Sequence, residues 1–239
     1  MTEHSKRRVL IIGGGGYIGP VVTEHLLQHG YKVRALDLFL FPTQSVLEPF
    51  AKNPDFELVT GDHCDAGLVS DALGDVSDVI ILSGLVGDPI TKKYPEASKK
   101  INDEGIRALI GLCNGRGLNR LIFVSTCSNY GLIKEGELAD ENFELNPLSL
   151  YAKAKVAMEQ ELLGLEGKVD FKPTVLRFAT AFGLAPRMRF DLTVSQFTRD
   201  MHLGKDMLVY DAATWRPYCH VQDFGDVLQR VLEAPEKDV

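Results

Sequence analysis

The chain lacks long apolar runs, a signal peptide and an excess of positive charge. No segment approaches the roughly 18 to 20 consecutive apolar residues that a membrane-spanning helix needs, and the N-terminus is too polar for a secretory signal. Lys and Arg total 26 against 33 Asp and Glu, so the formal net charge is −7. Because nucleic-acid binders usually carry a basic excess or a basic stripe, we expect no nucleic-acid partner. The absence of a long apolar segment leads us to expect no membrane partner either.

Cysteine is scarce as well. Its four residues are scattered along the chain, at Cys64, Cys113, Cys127 and Cys219. No two of them have the spacing of a metal-binding pair, and the number is low for a disulfide framework. We therefore expect reduced thiols, no metal site and a cytoplasmic location.

Short apolar runs alternate with longer segments of helical period, in a composition typical of globular proteins. The run Val9–Ile12 ends in glycines, the pattern of a strand that is buried on both faces. Helical spacing follows it and stops at Gly30. Further strands are predicted at 31–36, 56–60, 79–82, 121–125 and 173–178, and helices near 65–73, 95–114, 148–165, 191–203 and 222–233. This alternation predicts an α/β fold of the Rossmann type, a doubly wound parallel sheet with helices on both faces.

A glycine-rich loop joins the first predicted strand to the first helix. Gly13, Gly16 and Gly19 supply the tight turn, the close approach and the helix packing that a bound pyrophosphate requires. Asp37 ends the second strand at nearly the spacing expected of a ribose-binding acid. A carboxylate there accepts hydrogen bonds from a ribose hydroxyl and repels a 2′-phosphate, which favours NAD over NADP. Arg34 lies inside that strand, where we expect a solvent-facing side chain rather than a phosphate ligand.

A tyrosine and a lysine occupy one face of a later helix. Asn146 as cap and Pro147 predict its start, and Tyr151 and Lys155 follow four residues apart. A free tyrosine has a pKa of about 10, and a lysine ammonium together with a cationic nicotinamide ring lowers it. Tyr151 would then take a hydroxyl proton while hydride leaves the same carbon. By itself, however, a tyrosine four residues before a lysine is also what a solvent-exposed helix face would show. The nearby Lys153 fits that second interpretation.

Together these motifs resemble the extended short-chain dehydrogenases/reductases of the sugar-nucleotide epimerase/dehydratase kind, from Val9 to about Leu232. The three loop glycines fit the G-x-x-G-x-x-G pattern of that family, Gly61-Asp62 resembles its adenine-contacting pair, and Asn102 with Gly105 matches a position on its fourth helix. The resemblance implies NAD as cofactor. The cofactor-binding residues that it implies are Gly13, Gly16, Tyr17, Ile18, Gly19, Asp37, Asp62, Leu82, Ser83, Gly84 and Lys155.

The family's catalytic Ser or Thr stands five residues before the glycine of a Tyr-Gly pair, and Gly131 puts Thr126 at that place. Its hydroxyl would hydrogen-bond the substrate oxygen and stabilise developing charge. Ser125 and Ser128 are close enough to leave the assignment open. Relatives that eliminate water from a hexose carry Asp-Glu directly after the threonine, where this chain has Cys127 and Ser128. The resemblance therefore argues against 4,6-dehydration.

Later segments resemble the parts of the family that contact the substrate. Arg216 stands where the family's arginine pairs with a nucleotide diphosphate, a contact that suits a guanidinium fork. Thr180 replaces the family's usual asparagine, which weakens the transfer of the sugar contact. Arg187 and Arg189 either contact the phosphate or the sugar, or are exposed loop arginines with no part in binding. The implied catalytic residues are Thr126, Tyr151 and Lys155, and the implied substrate-binding residues are Thr126, Cys127, Ser128, Tyr151, Thr180, Arg187, Arg189 and Arg216.

The resemblance divides the chain into an NAD-binding Rossmann domain with the catalytic residues, 1–182, and a small, apparently incomplete substrate-binding region, 183–239. It implies NAD-dependent epimerisation of a nucleoside-diphosphate sugar through transient oxidation of a ring hydroxyl to a ketone. The alternatives are a sugar-nucleotide 4-ketoreductase or dehydrogenase, and a non-catalytic NAD(P)-sensing regulator on the same fold. Because relatives dimerise through helices that correspond to 95–114 and 148–165, we also expect a homodimer.

Overall fold

Six parallel strands form the central sheet of a computed structural model, which describes residues 7–41, 44–210 and 212–235. The strands are β1 (Arg8–Ile12), β2 (Lys32–Asp37), β3 (Phe56–Thr60), β4 (Asp78–Ile81), β5 (Arg120–Thr126) and β6 (Lys172–Phe178). Their order is β3-β2-β1-β4-β5-β6, and each neighbouring pair is parallel. This doubly wound order is typical of dinucleotide-binding domains. The predicted Rossmann-type fold is confirmed.

Helices connect the strands and extend beyond the last of them. The α-helices are α1 (Gly19–Gln28), α2 (Ala66–Ala72), α3 (Asp88–Lys93), α4 (Pro95–Lys99), α5 (Ile106–Cys113), α6 (Leu150–Leu163), α7 (Thr193–His202) and α8 (Val221–Glu233). A π-helix, Lys100–Gly105, joins α4 to α5, and short 3₁₀ helices span Gln44–Phe50 and Cys127–Tyr130. In the part of the chain that the structure describes, no helix is long and apolar enough to cross a bilayer.

The two faces of the sheet carry separate apolar cores. Successive side chains of a strand point to opposite faces. Leu10 and Ile12 of β1 accordingly pack in one core with residues of α2, α5 and α6, and Val9 and Ile11 pack in the other with residues of α1 and α8. All four side chains are fully buried, and each contributes roughly 1.5 to 3 kcal/mol of stability. This double burial explains why the strand is a continuous apolar run.

The segment after β6 adds a second, smaller sheet. Its strands are β7 (Thr180–Phe182) and β8 (Tyr218–His220), which pair in parallel. The last helix, α8, then returns to the main sheet, where Phe224 stacks on Phe178 with ring centroids 4.0 Å apart. A division of the chain between residues 182 and 183 stays a prediction.

Two local expectations from the sequence were wrong. The helix that carries Tyr151 begins at Leu150 and is capped by Ser149, whose Oγ accepts from the amide of Ala152 at 3.1 Å, so Asn146 lies outside it. Arg34 does not face solvent. It is buried, and its Nη2 lies 2.7 Å from Glu57 and 2.8 Å from Asp75, because these carboxylates compensate its charge inside the fold.

Candidate active site

The glycine loop is held tightly against the carboxyl ends of β2 and β4. The amides of Gly13 and Gly14 both donate to the carbonyl of Leu36, at 2.8 and 3.3 Å. Gly13 has a φ of +87°, and a Cβ there would lie 2.7 Å from the backbone nitrogen of Ser83. A Cβ at Gly19 would overlap the carbonyl of Gly14. The loop therefore requires glycine, and it leads directly into the first turn of α1, where backbone amides bind phosphate.

Tyr17 and Ile18, between the last two of these glycines, face the protein interior. The Tyr17 hydroxyl donates to the carbonyl of Gly183 at 2.6 Å, and its ring packs with Val221 and Phe224. Ile18 packs against the core that β1 shares with α1 and α8. The side chain of Tyr17 thus links the glycine loop to the C-terminal region.

Asp37 is oriented by two backbone amides. Its Oδ2 accepts from Gly15 at 2.9 Å, and its Oδ1 accepts from Phe39 at 2.7 Å. Phe39 has a φ of +51°, which is rare for a bulky residue, and its ring occupies the space where a Cβ on Gly15 would lie. Asp62 follows β3 and accepts from the amide of Cys64 at 2.9 Å. Both acids therefore stand at the edge of the sheet that carries the glycine loop.

The turn after β4 carries Leu82, Ser83 and Gly84, and Asn102 of the π-helix clamps it. The Asn102 side chain accepts from the amide of Leu85 at 2.7 Å and donates to the carbonyl of that residue at 3.0 Å. The buried Oγ of Ser83 has no hydrogen-bond partner among the described residues. The Ser83 hydroxyl lies beside the glycine loop and is available to hydrogen-bond a dinucleotide held by that loop. The sequence singled out Asn102 only as a family match, because nothing in its neighbours indicates the clamp.

Thr126, Tyr151 and Lys155 come from adjacent elements at the same edge. Thr126 ends β5, and the other two lie on α6, which packs against β5. The Lys155 Nζ donates to the carbonyl of Val124 at 2.8 Å and lies 4.3 Å from the centroid of the Phe123 ring. It lies 6.0 Å from the centroid of the Tyr151 ring. The structure thus brings the three predicted catalytic residues into one site.

The pKa values at this site are set mainly by burial. Burial raises the pKa of Tyr151 to about 12, while Arg189 acts to lower it and Cys127 to raise it. Burial also lowers the pKa of Lys155 to about 8, and Glu159 opposes that shift. The Lys155 ammonium is directed at a backbone carbonyl, and the lowering of the Tyr151 pKa by this ammonium together with a bound nicotinamide ring stays a prediction.

Arg216 joins several of the predicted substrate residues. Its Nη2 donates to the Oγ of Ser128 at 2.9 Å, and its Nε donates to the Oγ1 of Thr180 at 3.1 Å. The Ser128 amide in turn donates to the Oγ1 of Thr126 at 3.2 Å. Cys127 lies in the same turn, where burial raises the pKa of its thiol and the charge of Arg216 lowers it. These residues form a polar cluster beside the catalytic candidates.

Arg187 and Arg189 do not join that cluster by hydrogen bonds among the described residues. The Arg187 guanidinium carbon lies 4.5 Å from the Phe41 ring centroid. Burial and the charge of Arg189 lower the pKa of Arg187, and Asp37 is one of the groups that oppose this shift. Arg189 forms two hydrogen bonds with Asp191, at 3.2 and 2.5 Å. Arg187 therefore stands on the side of the predicted ribose acid, and Arg189 on the side of the predicted catalytic tyrosine.

One buried group behind the site was missed from the sequence. Glu159 is 1% exposed and pairs with Arg177 of β6. The available signal was its position, four residues after Lys155 on the same helix face. A glutamate in a helix is usually exposed, so its burial could not be inferred.

The described residues contain no group of three or more His, Cys, Asp or Glu side chains that could hold a metal ion. All four cysteines are free thiols. Cys113 is buried, and its burial raises the pKa of the thiol to about 12, as expected for an unreactive packing residue.

Comparison with known proteins places this architecture in a family. Residues 9–239 match the model of the NAD dependent epimerase/dehydratase family. A UDP-glucose 4-epimerase of Lactobacillus helveticus is 29% identical, over 97% of this chain and 75% of that protein. The NAD complex of a Thermus thermophilus UDP-glucose 4-epimerase is 25% identical with a TM-score of 0.82, over 95% of this chain and 75% of that one. TunA, an NAD-dependent NDP-hexosamine 5,6-dehydratase, is also 25% identical with a TM-score of 0.82, over 96% and 73%.

Proposed function

This chain belongs to the NAD dependent epimerase/dehydratase family, and from that premise we propose that it is an NAD-dependent epimerase of a nucleoside-diphosphate sugar. The observation that carries the proposal is the position of Thr126, Tyr151 and Lys155 at the sheet edge that also holds the glycine loop. Arg216, a cation suited to a diphosphate, lies 2.9 Å from Ser128 in the turn that follows Thr126. Cofactor, hydroxyl-bearing sugar and diphosphate thus each have a matching group.

Different residues of the chain would hold different parts of the cofactor. The amides at the start of α1 would hold the pyrophosphate, and Asp37 would accept from the adenosine ribose. Ser83 and the Lys155 ammonium offer donors near the nicotinamide half. When bound, NAD supplies the ring that accepts a hydride and returns it.

Tyr151 and Thr126 handle the substrate oxygen. The phenol oxygen of Tyr151, as phenolate, takes the proton of a ring hydroxyl while the hydride leaves the same carbon. Thr126 donates a hydrogen bond to the oxygen on which charge develops. With the ketone turned over, Tyr151 would return the proton to its oxygen, and because NAD would give back the hydride it had accepted, the sugar would change configuration without net oxidation. Because burial raises the pKa of Tyr151 to about 12, the phenolate depends on cations near it, among them Arg189 and the oxidised cofactor.

The residues after Thr126 favour epimerisation over the elimination of water. Elimination needs an additional acid and base, and Cys127 and Ser128 supply neither carboxylate. Burial raises the pKa of the Cys127 thiol, and the Ser128 hydroxyl accepts from Arg216. A 4-ketoreductase or a dehydrogenase would use the same three catalytic residues and is the second candidate, but it would consume cofactor stoichiometrically.

The test is to incubate the purified chain and NAD with a panel of UDP-, GDP-, CDP- and dTDP-sugars and to follow them by NMR. We expect one of them to convert to its epimer while the absorbance of NADH stays low over many turnovers. Tyr151→Phe should reduce turnover by about 10² to 10⁴-fold, whereas the exposed Tyr94→Phe should not. Stoichiometric accumulation of NADH would indicate a dehydrogenase instead. If the chain binds NAD but leaves every sugar nucleotide of the panel unchanged, the proposal is wrong.

We also propose that the chain forms a homodimer through the outer faces of α5 and α6. These faces present small side chains, including the exposed Ala108 and Ala157, which permit close approach of helices. Arg107 of α5 and Glu161 of α6 form an ion pair that holds the two helices side by side. Two such helix pairs would make a four-helix bundle.

A further inference from the structure

Glu159 continues the helix face that carries the catalytic pair. Tyr151, Lys155 and Glu159 stand at four-residue intervals on α6, so that they project from one side of the helix. The Glu159 carboxylate is 1% exposed. It accepts from the side-chain amide of Asn129 at 2.6 Å and from the Nε and Nη2 of Arg177, both at 2.9 Å. A buried carboxylate with three charge-assisted or polar donors is firmly fixed in position.

These hydrogen bonds join three elements that build the site. The Asn129 amide also donates to the Oγ of Ser125 at 3.0 Å, directly before Thr126 in the chain. Arg177, on β6, also donates to the Tyr130 hydroxyl at 3.0 Å. The carboxylate therefore connects α6, β6 and the turn Cys127–Tyr130, and with them the elements that carry Thr126 and the catalytic pair.

Glu159 is also the acidic residue one turn after Lys155 on the same face of α6. The strand beneath Lys155, β5, contributes only an aromatic ring and a carbonyl. The ionisable and charged groups on the surrounding elements include Tyr151 and Glu159 on α6, Cys127 and Tyr130 in the adjoining turn, Arg177 on β6, Lys92 and Lys93 on α3, Lys100, Asp103 and Glu104 of the π-helix, and Arg189, whose charge acts on Tyr151. Burial lowers the pKa of Lys155 to about 8, and Glu159 is the group whose charge opposes this.

We propose that Glu159 is a positioning residue that fixes the catalytic pair relative to Thr126 and keeps Lys155 in its ammonium form for the cofactor. The inference rests on the proposed function, because it takes Lys155 to be a cofactor ligand. The inference is tested without any sugar substrate, so that the inference and the proposed function can fail separately.

The experiment measures the affinity of the full chain for NAD by calorimetry between about pH 6 and pH 9.5. Wild-type affinity should fall above about pH 8, where Lys155 loses its proton. In Glu159→Gln that fall should occur at lower pH, because the charge that holds the proton is gone. A displacement of one pH unit would make the variant roughly fivefold weaker at pH 8 and nearly normal at about pH 6. The matched control is Glu166→Gln, just after the same helix and paired at the surface with Lys172, which should behave as wild type.

Two further variants keep the result decisive. Glu159→Asp retains the charge and should keep the wild-type pH dependence. If Glu159→Gln does not fold, the double variant E159Q/R177M removes both members of the buried pair, leaves no unpaired guanidinium, and should show a displacement in the same direction but smaller, because the charge of Arg177 is lost as well. Variants with a lower melting temperature but an unchanged pH dependence, or with affinity reduced equally at every pH, would overturn the inference.

The two proposals give distinguishable outcomes. A wild-type chain that binds NAD with the expected pH dependence but turns over no sugar nucleotide fails the proposed function and supports the inference. A chain that does not bind NAD overturns both.

Discussion

The ammonium of Lys155 opposes folding of the residues around it. It is buried, with the Val124 carbonyl at 2.8 Å and the Phe123 ring beneath it. Its pKa falls from 10.5 to about 8 because burial penalises the charge. The folded state therefore binds the proton less tightly than the unfolded chain. The resulting penalty is full below about pH 8 and disappears as the pH rises towards 10.5.

Lys155→Met should accordingly stabilise the protein while it abolishes the proposed contact with the cofactor. At pH 7 we expect a gain of about 2 to 3 kcal/mol in the free energy of unfolding, measured in urea. The wild type should become more stable between about pH 8 and pH 9.5, and the variant should lack this rise. Lys153→Met, at an exposed position on the same helix, is the matched control and should change little. A Lys155→Met protein that is less stable than wild type at pH 7 would contradict this account.

At the scale of elements, the start of α6 determines where the proposed catalytic pair, Tyr151 and Lys155, lies. Tyr151 is in the first turn of the helix, and that turn depends on the Ser149 cap, whose Oγ accepts from the amide of Ala152 at 3.1 Å. The first amides of a helix have no partner within the helix, so losing a cap destabilises the first turn selectively. Lys155 lies one turn further in, where intrahelical hydrogen bonds are complete.

Ser149→Ala should therefore cost about 0.5 to 2 kcal/mol in the free energy of unfolding, and in an active enzyme it should lower turnover more than NAD affinity. The physical reason is that Tyr151 loses its fixed position and Lys155 keeps it. Asn146→Ala is the control, since Asn146 is a plausible cap by sequence but lies outside the helix. Denaturant unfolding of both variants decides the matter. If Asn146→Ala proved the more harmful of the two, the cap would be assigned to the wrong residue.

At the scale of the whole molecule, the outer faces of α5 and α6 are continuous. Both helices pack their inner faces on the apolar core that β1 shares with α2. Their outer faces keep Ala108 and Ala157 exposed, and Leu163 at the end of α6 is 43% exposed. A long charged side chain placed among such small residues would hold two helix pairs apart.

Light scattering coupled to size-exclusion chromatography should give the mass of a dimer for the wild type and of a monomer for Ala157→Arg. Ala51→Arg places the same side chain on an exposed position outside these helices and should leave the dimer intact. A monomeric wild type at micromolar concentration would remove the proposed interface. Equal dissociation by both variants would point to net charge rather than to this face as the cause.

The sequence alone determined the sheet, the glycine loop and the identity of the family. Strand and helix periodicity are local signals, and Val9–Ile12 reads as a doubly buried strand because both of its faces must be apolar. Gly13 and Gly19 are likewise determined by local requirements, since Gly13 has a φ of +87° and the carbonyl of Gly14 leaves no room for a Cβ on Gly19. Order and spacing along the chain then sufficed to propose Thr126, Tyr151 and Lys155 for one site.

Only the tertiary structure decided which groups meet and which charges are buried. The hydrogen bonds of Arg216 to Ser128 and Thr180 join distant parts of the chain, and no local pattern specifies such pairs. Glu159 looks like any helical glutamate until β6 brings Arg177 against it. Burial raises the pKa of Tyr151 to about 12, an effect that its spacing to Lys155 could not indicate, because burial depends on the whole fold whereas spacing depends on one helix.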